Sequence, residues 1–128
     1  MKNPFDTPER VAFRKILRDF VAKEINSTAD TWDEVGEIPW GLRQRVGAPG
    51  VWGFGIEEQY GGLSMGNCFI RAAYNEEFAM CGANGVSAAL NGRMISIEPI
   101  QHLANADIRS RVLSDTVSGR EASMGLIG

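Results

Sequence analysis

Glycine is concentrated in one stretch of this sequence, and that stretch limits what the chain can fold into. Seven of the 15 glycines fall between Gly47 and Gly66, with the turn-forming pair Pro49-Gly50 near the start. Glycine weakens helices and strands but permits tight turns and close contact between backbones. The stretch is therefore predicted to be an irregular connector that lies close to neighbouring backbone and is not a helix.

Helical patterns of apolar residues lie on both sides of this connector. Thr7-Pro8 has the form of an N-cap followed by proline at the first helical position, and apolar residues at helical spacing follow as far as Ile25. Six segments are predicted to be helical by such spacing and by their caps: about 8–26, 30–36, 39–47, 67–82, 84–100 and 105–119. Pro99 is expected to bend or end the fifth of them.

These patterns predict an all-α fold, an up-down helical bundle of about five to six helices with a glycine-rich internal connector. Residues 1–121 would form this domain, which has the ordinary size for one hydrophobic core. The last residues, 122–128, instead have the character of the start of a β-strand. Because an unpaired apolar strand invites association, we expect the sequence to be part of a longer protein.

Composition and charge disfavour several functional classes. The 128 residues are 44% hydrophobic and 23% charged, with a net charge of −3 and with acidic and basic residues interspersed. The sequence has no basic stripe for nucleic acid and no apolar run long enough to span a membrane. Since its N-terminus has no secretory signal, a cytoplasmic location is expected, or the mitochondrial matrix if the source is eukaryotic.

Few side chains have the neighbours that catalysis needs. His102 is the only histidine, which excludes most metal sites and histidine-dependent triads. Gly53-Phe54-Gly55 begins a dinucleotide-binding fingerprint, but Glu58 stands where its third glycine should be. Glu76 and Glu77 are adjacent, and helical neighbours point about 100° apart, so they should not converge on one substrate atom. We interpret them as one solvated glutamate and one at the boundary of the helix.

Two cysteines and one arginine complete the set of reactive candidates. Cys68 and Cys81 are predicted to share a helix about 20 Å apart, too far for a disulfide. Arg93 lies on the apolar-facing side of its predicted helix. In one interpretation its stem packs while its guanidinium reaches solvent or a carboxylate such as Glu77. In the other, it faces a cavity and contacts a polar group of a substrate.

Several segments, taken in order and spacing, resemble the N-terminal helical domain of the acyl-CoA dehydrogenases. Two of them are the most specific: Gly55-Ile56-Glu57-Glu58-Gln59-Tyr60-Gly61-Gly62 in the connector and Trp32-Asp33-Glu34-Val35-Gly36-Glu37-Ile38-Pro39 before it. The segments 13–25, 76–79 and 99–100 extend the resemblance over essentially the whole chain. Leu103-Ala104-Asn105-Ala106 departs from it, because the family usually has a glycine before the last helix.

The resemblance implies a three-part subunit in which a β-domain and a C-terminal helical bundle follow this domain. FAD would lie between those two parts and a neighbouring subunit of a homotetramer. A carboxylate of the C-terminal part would remove the α-proton of an acyl-CoA while the β-hydride passes to the flavin. Electron-transfer flavoprotein, or a similar acceptor, would then reoxidise the flavin. The chain does not include that carboxylate, so alone it is expected to bind FAD poorly and to be inactive.

The resemblance also assigns two sets of site residues. Five residues at helical spacing would form the floor of the acyl pocket: Ser87, Ala88, Asn91, Gly92 and Ile95. The tail would begin the flavin-binding β-domain, with cofactor-binding residues Gly125, Ile127 and Gly128. No catalytic residue and no metal ligand is assigned within the chain. Because Asn91 makes the floor somewhat polar, we expect a short, branched or functionalised acyl group rather than a long plain chain.

Two other functions are open at this point. Related flavin oxidases and monooxygenases share this domain, and the residues that distinguish them lie downstream. A helical module that acts only through protein contacts would also fit the helical pattern, and its apolar faces would form exposed patches.

Overall fold

The computed structural model describes residues 4–48 and 50–120, and the regular secondary structure of that part of the chain is entirely helical. Its seven α-helices follow in this order: α1 (Pro8–Phe20), α2 (Ala29–Val35), α3 (Trp40–Gly47), α4 (Cys68–Ala79), α5 (Asn84–Asn91), α6 (Met94–Leu103) and α7 (Ala106–Ser118). The predicted all-α class is confirmed. The expected start of a β-strand at 122–128 lies outside the described residues.

Three helices begin at side chains that cap them. Thr7 caps α1, Asn67 caps α4 and Asn105 caps α7, each accepting a hydrogen bond from the N–H three residues later at 3.3, 3.0 and 2.9 Å. Such caps satisfy donors that have no partner within the helix and contribute about 1 kcal/mol each.

The main hydrophobic core lies where the first helix meets the fourth. α1 continues without interruption into a π-helical turn, Val21–Ile25, and α1 packs against α4. The largest fully buried side chains of this core come from α1 and its π-helical turn, from α3, α4 and α5, and from the connector: Leu17, Ile25, Leu42, Trp52, Tyr74, Phe78 and Leu90. A second, smaller cluster of Ile56, Ile97 and Leu113 joins the connector to α6 and α7. Each such side chain stabilises the fold by about 1.5–3 kcal/mol when it is fully buried.

The glycine-rich connector lies close to neighbouring backbone, as predicted. At Gly62 a Cβ atom would stand 2.0 Å from the carbonyl oxygen of Ile56, and at Gly47 it would stand 2.8 Å from the carbonyl carbon of Ser118. Only glycine permits such approaches. The connector also contains two short 3₁₀ turns, Val51–Gly53 and Glu58–Tyr60, which the glycine content did not predict.

The predicted helix 84–100 is divided in two. α5 ends at Asn91 and α6 begins at Met94, and the two residues between them keep right-handed helical backbone angles. Pro99 does not end α6, which continues to Leu103. Pro99 has no N–H to donate to Ile95 O one turn earlier, but the helix continues past it, and the later bond from Ala104 N to Ile100 O at 3.2 Å is formed.

Candidate functional site

The five residues assigned to the acyl pocket lie on the outward side of α5 and α6. Ala88 and Ile95 are exposed, while Ser87, Asn91 and Gly92 are half-buried. The buried residues of the same two helices and their junction lie on the opposite side: Val86, Leu90, Arg93 and Ile97. The division into two helices does not separate the five, because the N–H of Gly92 still bonds to Ala88 O at 2.9 Å. We call this surface the α5–α6 wall.

A polar pair lies in the middle of the α5–α6 wall. Asn91 Nδ2 donates to Ser87 Oγ at 3.2 Å across one helical turn. Asn91 Oδ1 is buried and has no hydrogen-bond partner among the described residues. That atom is enclosed, so the polar feature of the wall is the hydrogen bond between Asn91 and Ser87, in a surface otherwise made of alanine, glycine and isoleucine.

Arg93 points away from this wall and into the core, and only 4% of the residue is exposed. Its Nη1 donates to the backbone oxygen of Trp52 at 3.2 Å, and its Cζ lies 5.0 Å from the centre of the Trp52 ring. Burial lowers the pKa of Arg93 to about 10. The expectation that the guanidinium reaches solvent or Glu77 was wrong, because aromatic side chains enclose it. The arginine nevertheless ties the junction of α5 and α6 to the connector.

Glu77 is paired with two arginines of α1. Arg18 Nη2 and Arg14 Nη1 lie 2.8 and 3.2 Å from Glu77 Oε1. Arg14 also pairs with Glu76, which is exposed as predicted. Glu77 itself is buried and lies in the last turn of α4. The arginine hydrogen bonds, those of Arg18 most, hold the pKa of Glu77 below its usual range although burial opposes them.

The other reactive candidates do not form a site among the described residues. Cys68 and Cys81 are free thiols, and His102 is exposed with Nε2 3.7 Å from a carboxylate oxygen of Glu98. Within residues 4–48 and 50–120, no three histidine, cysteine or acidic side chains are grouped closely enough to hold a metal ion. None of the described helices combines the length and the apolar character needed to cross a membrane. The residues assigned to the flavin, Gly125, Ile127 and Gly128, lie outside the described part.

The helical arrangement is that of the N-terminal domain of a known class of enzyme. It superimposes on the solved structure of a probable acyl-CoA dehydrogenase from Mycobacterium abscessus with a TM-score of 0.80 and 34% identity, covering 89% of this chain and 30% of that one. The sequence matches the family described as acyl-CoA dehydrogenase, N-terminal domain, over residues 7–120. The chain therefore belongs to the acyl-CoA dehydrogenase family, and its described residues are that family's N-terminal helical domain.

Two characterised relatives agree with this assignment. The chain is 29% identical to an acyl-CoA dehydrogenase of Bacillus subtilis over 113 residues, which are 88% of this chain and 30% of that protein. It is 25% identical to the mitochondrial long-chain specific acyl-CoA dehydrogenase of Rattus norvegicus over 104 residues, 81% of this chain and 23% of that protein. The chain thus spans less than a third of the length of these relatives.

Proposed function

We propose that this chain is the N-terminal part of an FAD-dependent acyl-CoA dehydrogenase that introduces an α,β double bond into an acyl-CoA thioester. The observation that carries the proposal is the family match over residues 7–120. Since the chain spans 30% of the Bacillus subtilis relative, the remaining parts of such an enzyme would be supplied by sequence beyond it. In this proposal residues 1–121 form the helical domain and 122–128 begin the β-domain.

The chain's own contribution is the floor of the acyl pocket, formed by the α5–α6 wall. Its outward orientation supports this role, because residues that turn away from the core are available to a bound acyl group or to a following domain. The hydrogen bond between the half-buried Asn91 and Ser87 supports a polar floor. We therefore assign the enzyme a short, branched or functionalised acyl group as substrate.

The catalytic carboxylate is assigned to the C-terminal part and not to this chain. Glu77 is held by Arg14 and Arg18, and its lowered pKa makes it a weak base. When bound, FAD accepts the β-hydride of the acyl chain. Its contacts from this sequence would be Gly125, Ile127 and Gly128. Alone, the 128-residue chain would bind FAD poorly and would not turn over substrate.

The partners and location follow from the same proposal. The full-length enzyme would be a homotetramer and would pass electrons to electron-transfer flavoprotein or a similar acceptor. It would work in the cytoplasm, or in the mitochondrial matrix if its source is eukaryotic. The rat relative is named as a mitochondrial protein.

The test is a visible absorption spectrum of the full-length product of this gene, recorded before and after adding a panel of acyl-CoAs. A flavin band that is bleached by one acyl-CoA would support the dehydrogenase and identify its substrate class. A flavin band that no acyl-CoA bleaches would favour a related oxidase or monooxygenase. A protein without flavin would leave only a helical module that acts through protein contacts.

A further inference from the structure

Three buried side chains, Arg93, Trp52 and Tyr74, lie together in the core, and the proposed function does not use them. We call them the Arg93 cluster. The exposed fractions of Arg93, Trp52 and Tyr74 are only 4%, 1% and 0%. Arg93 Cζ lies 5.0 Å from the centre of the Trp52 ring and 5.5 Å from that of Phe54, whose ring is 4.8 Å from that of Tyr74. The cluster is therefore one compact group, enclosed by α4, the connector and the junction of α5 and α6.

The Arg93 cluster has more hydrogen-bond donors than acceptors. A guanidinium carries five N–H donors and no acceptor, an indole carries one donor, and a phenol can act as either. One bond is made to the backbone, from Arg93 Nη1 to Trp52 O at 3.2 Å. Arg93 Nε and Nη2, Trp52 Nε1 and Tyr74 Oη have no hydrogen-bond partner among the described residues. Tyr74 Oη lies close enough to interact with both Arg93 and Trp52, and a phenol oxygen can accept from each. Even then, one of the two Arg93 nitrogens, Nε or Nη2, would lack an acceptor.

The cluster also carries an uncompensated positive charge. Although burial lowers the pKa of Arg93 to about 10, the guanidinium is still protonated at neutral pH. No carboxylate in the described part of the chain forms an ion pair with it, because Glu77 is taken by Arg14 and Arg18. A charge in a protein interior is strongly unfavourable unless a group of opposite charge accompanies it. The contacts with the Trp52 and Phe54 rings offset only part of that cost.

We propose that the Arg93 cluster binds a small monovalent inorganic anion, with chloride as the natural candidate, that accepts hydrogen bonds from Arg93, Trp52 and Tyr74. A water molecule would satisfy donors but would leave the charge without a partner, which is why an anion fits better. Because the side chains that hold it are enclosed by this chain itself, the ion acts as a structural component. It stabilises the contact of the connector with the α5–α6 junction and does not take part in the reaction.

The first experiment measures the Tm of the full-length protein in chloride, bromide and gluconate salts at equal ionic strength. We expect Tm to rise with chloride or bromide concentration and to saturate, and to stay constant in gluconate. Arg93→Met should abolish the rise. Tyr74→Phe, which removes one hydroxyl and conserves the ring, should shift the half-saturating concentration upward about tenfold. Arg111→Met, at an exposed position of α7, should leave the rise unchanged.

The second experiment locates the ion in a crystal of the full-length protein grown or soaked in bromide. We expect an anomalous peak within hydrogen-bond distance of Arg93 and Trp52. A peak without saturable stabilisation in solution would identify an adventitious ion only, and overturn the proposal. It would also be overturned by a water molecule in that position, by direct protein acceptors on all the donors, or by a halide response that Arg93→Met retains. Since none of these readouts involves flavin or acyl-CoA, the proposal stands or fails independently of the enzymatic one.

Discussion

Arg18 on α1 donates two hydrogen bonds to Glu77 on α4, from Nη2 to Oε1 at 2.8 Å and from Nε to Oε2 at 3.0 Å. Arg14, one turn earlier, adds a third at 3.2 Å. The carboxylate is 4% exposed, whereas the Arg18 side chain is 70% exposed. The two helices that form the main core are thus joined by a buried anion whose cationic partners extend from its edge to the solvent.

Replacing Glu77 should make the free energy of unfolding less dependent on pH in the acid range. The pKa of Glu77 is lower in the folded than in the unfolded chain, so its stabilisation is fully present above the unfolded value of about 4.3 and is lost as pH falls through the folded pKa. We expect Glu77→Gln to lower the free energy of unfolding by about 1–3 kcal/mol at pH 7. The difference should shrink below about pH 4, and urea denaturation at several pH values measures it.

Glu76→Gln is the matched control for this prediction. Glu76 is exposed and, within the described part of the chain, pairs with Arg14 alone, so its replacement should change the free energy of unfolding by about 0.5 kcal/mol or less. A Glu77→Gln effect of the same size at pH 7 and pH 3 would contradict the assignment of its stabilisation to an ionised carboxylate.

Gly62→Ala should disrupt the connector. A Cβ at this position would lie 2.0 Å from the carbonyl oxygen of Ile56, which also accepts a hydrogen bond from Ser64 N at 2.9 Å. Because Ile56 O and its donor Ser64 N are both backbone atoms, the clash can be removed only if the connector itself moves. We expect the free energy of unfolding to fall by at least about 3 kcal/mol. The midpoint of denaturation and the yield of folded protein report it.

Gly92→Ala is the control for the connector variant. Gly92 has helical backbone angles, and a Cβ there meets its nearest neighbour at 3.7 Å. Its replacement should be neutral or stabilising by up to about 1 kcal/mol. If both variants lost the same stability, the close approach at Gly62 would not be the cause.

The helix starts and the connector could be predicted from the sequence because their causes are local. A cap such as Thr7 or Asn105 acts on an N–H three residues away, and glycine clusters restrict structure wherever they occur. The division of the fifth predicted helix could not be predicted, since Gly92 and Arg93 keep helical backbone angles and nothing in their sequence requires a break.

The environment of Arg93 could be predicted only in part. Its spacing from Val86, Leu90 and Ile97 placed it on the buried face of its helix, and the structure bears this out. The interpretation that paired it with a carboxylate such as Glu77 was wrong, because Arg93 is enclosed by aromatic side chains and Glu77 is bound by Arg18, which lies 59 residues earlier in the chain. Competition between distant charges for one carboxylate depends on tertiary packing, which residue spacing does not contain.

Asn91→Ala tests the proposed polar floor of the acyl pocket. The substitution removes the hydrogen bond to Ser87 and the unpartnered amide atom from the α5–α6 wall. In the full-length enzyme we expect the ratio of kcat/KM for long plain acyl-CoAs to that for short or functionalised ones to rise about tenfold. Asn75→Ala, at an exposed position of α4, is the control and should leave the ratio unchanged. An unaltered preference in Asn91→Ala would remove this residue from the pocket.

Two substitutions at Arg93 separate the volume of its side chain from its charge. Arg93→Ala leaves a cavity among Trp52, Phe54 and Tyr74 and removes the donor to Trp52 O, so we expect a loss of about 2–4 kcal/mol in the free energy of unfolding. Arg93→Met retains most of the stem and removes a buried charge. In buffer without chloride, where that charge has no anionic partner, it should cost about 1 kcal/mol or less.

Denaturation of the two Arg93 variants, with and without chloride, distinguishes the contributions. Adding chloride should stabilise the native protein and leave both variants unchanged, so the apparent cost of each substitution should increase by the same amount. Equal losses for Arg93→Ala and Arg93→Met in the absence of chloride would mean that the guanidinium is favourable in the core without an anion. The aromatic rings and the Trp52 carbonyl would then be sufficient partners for it.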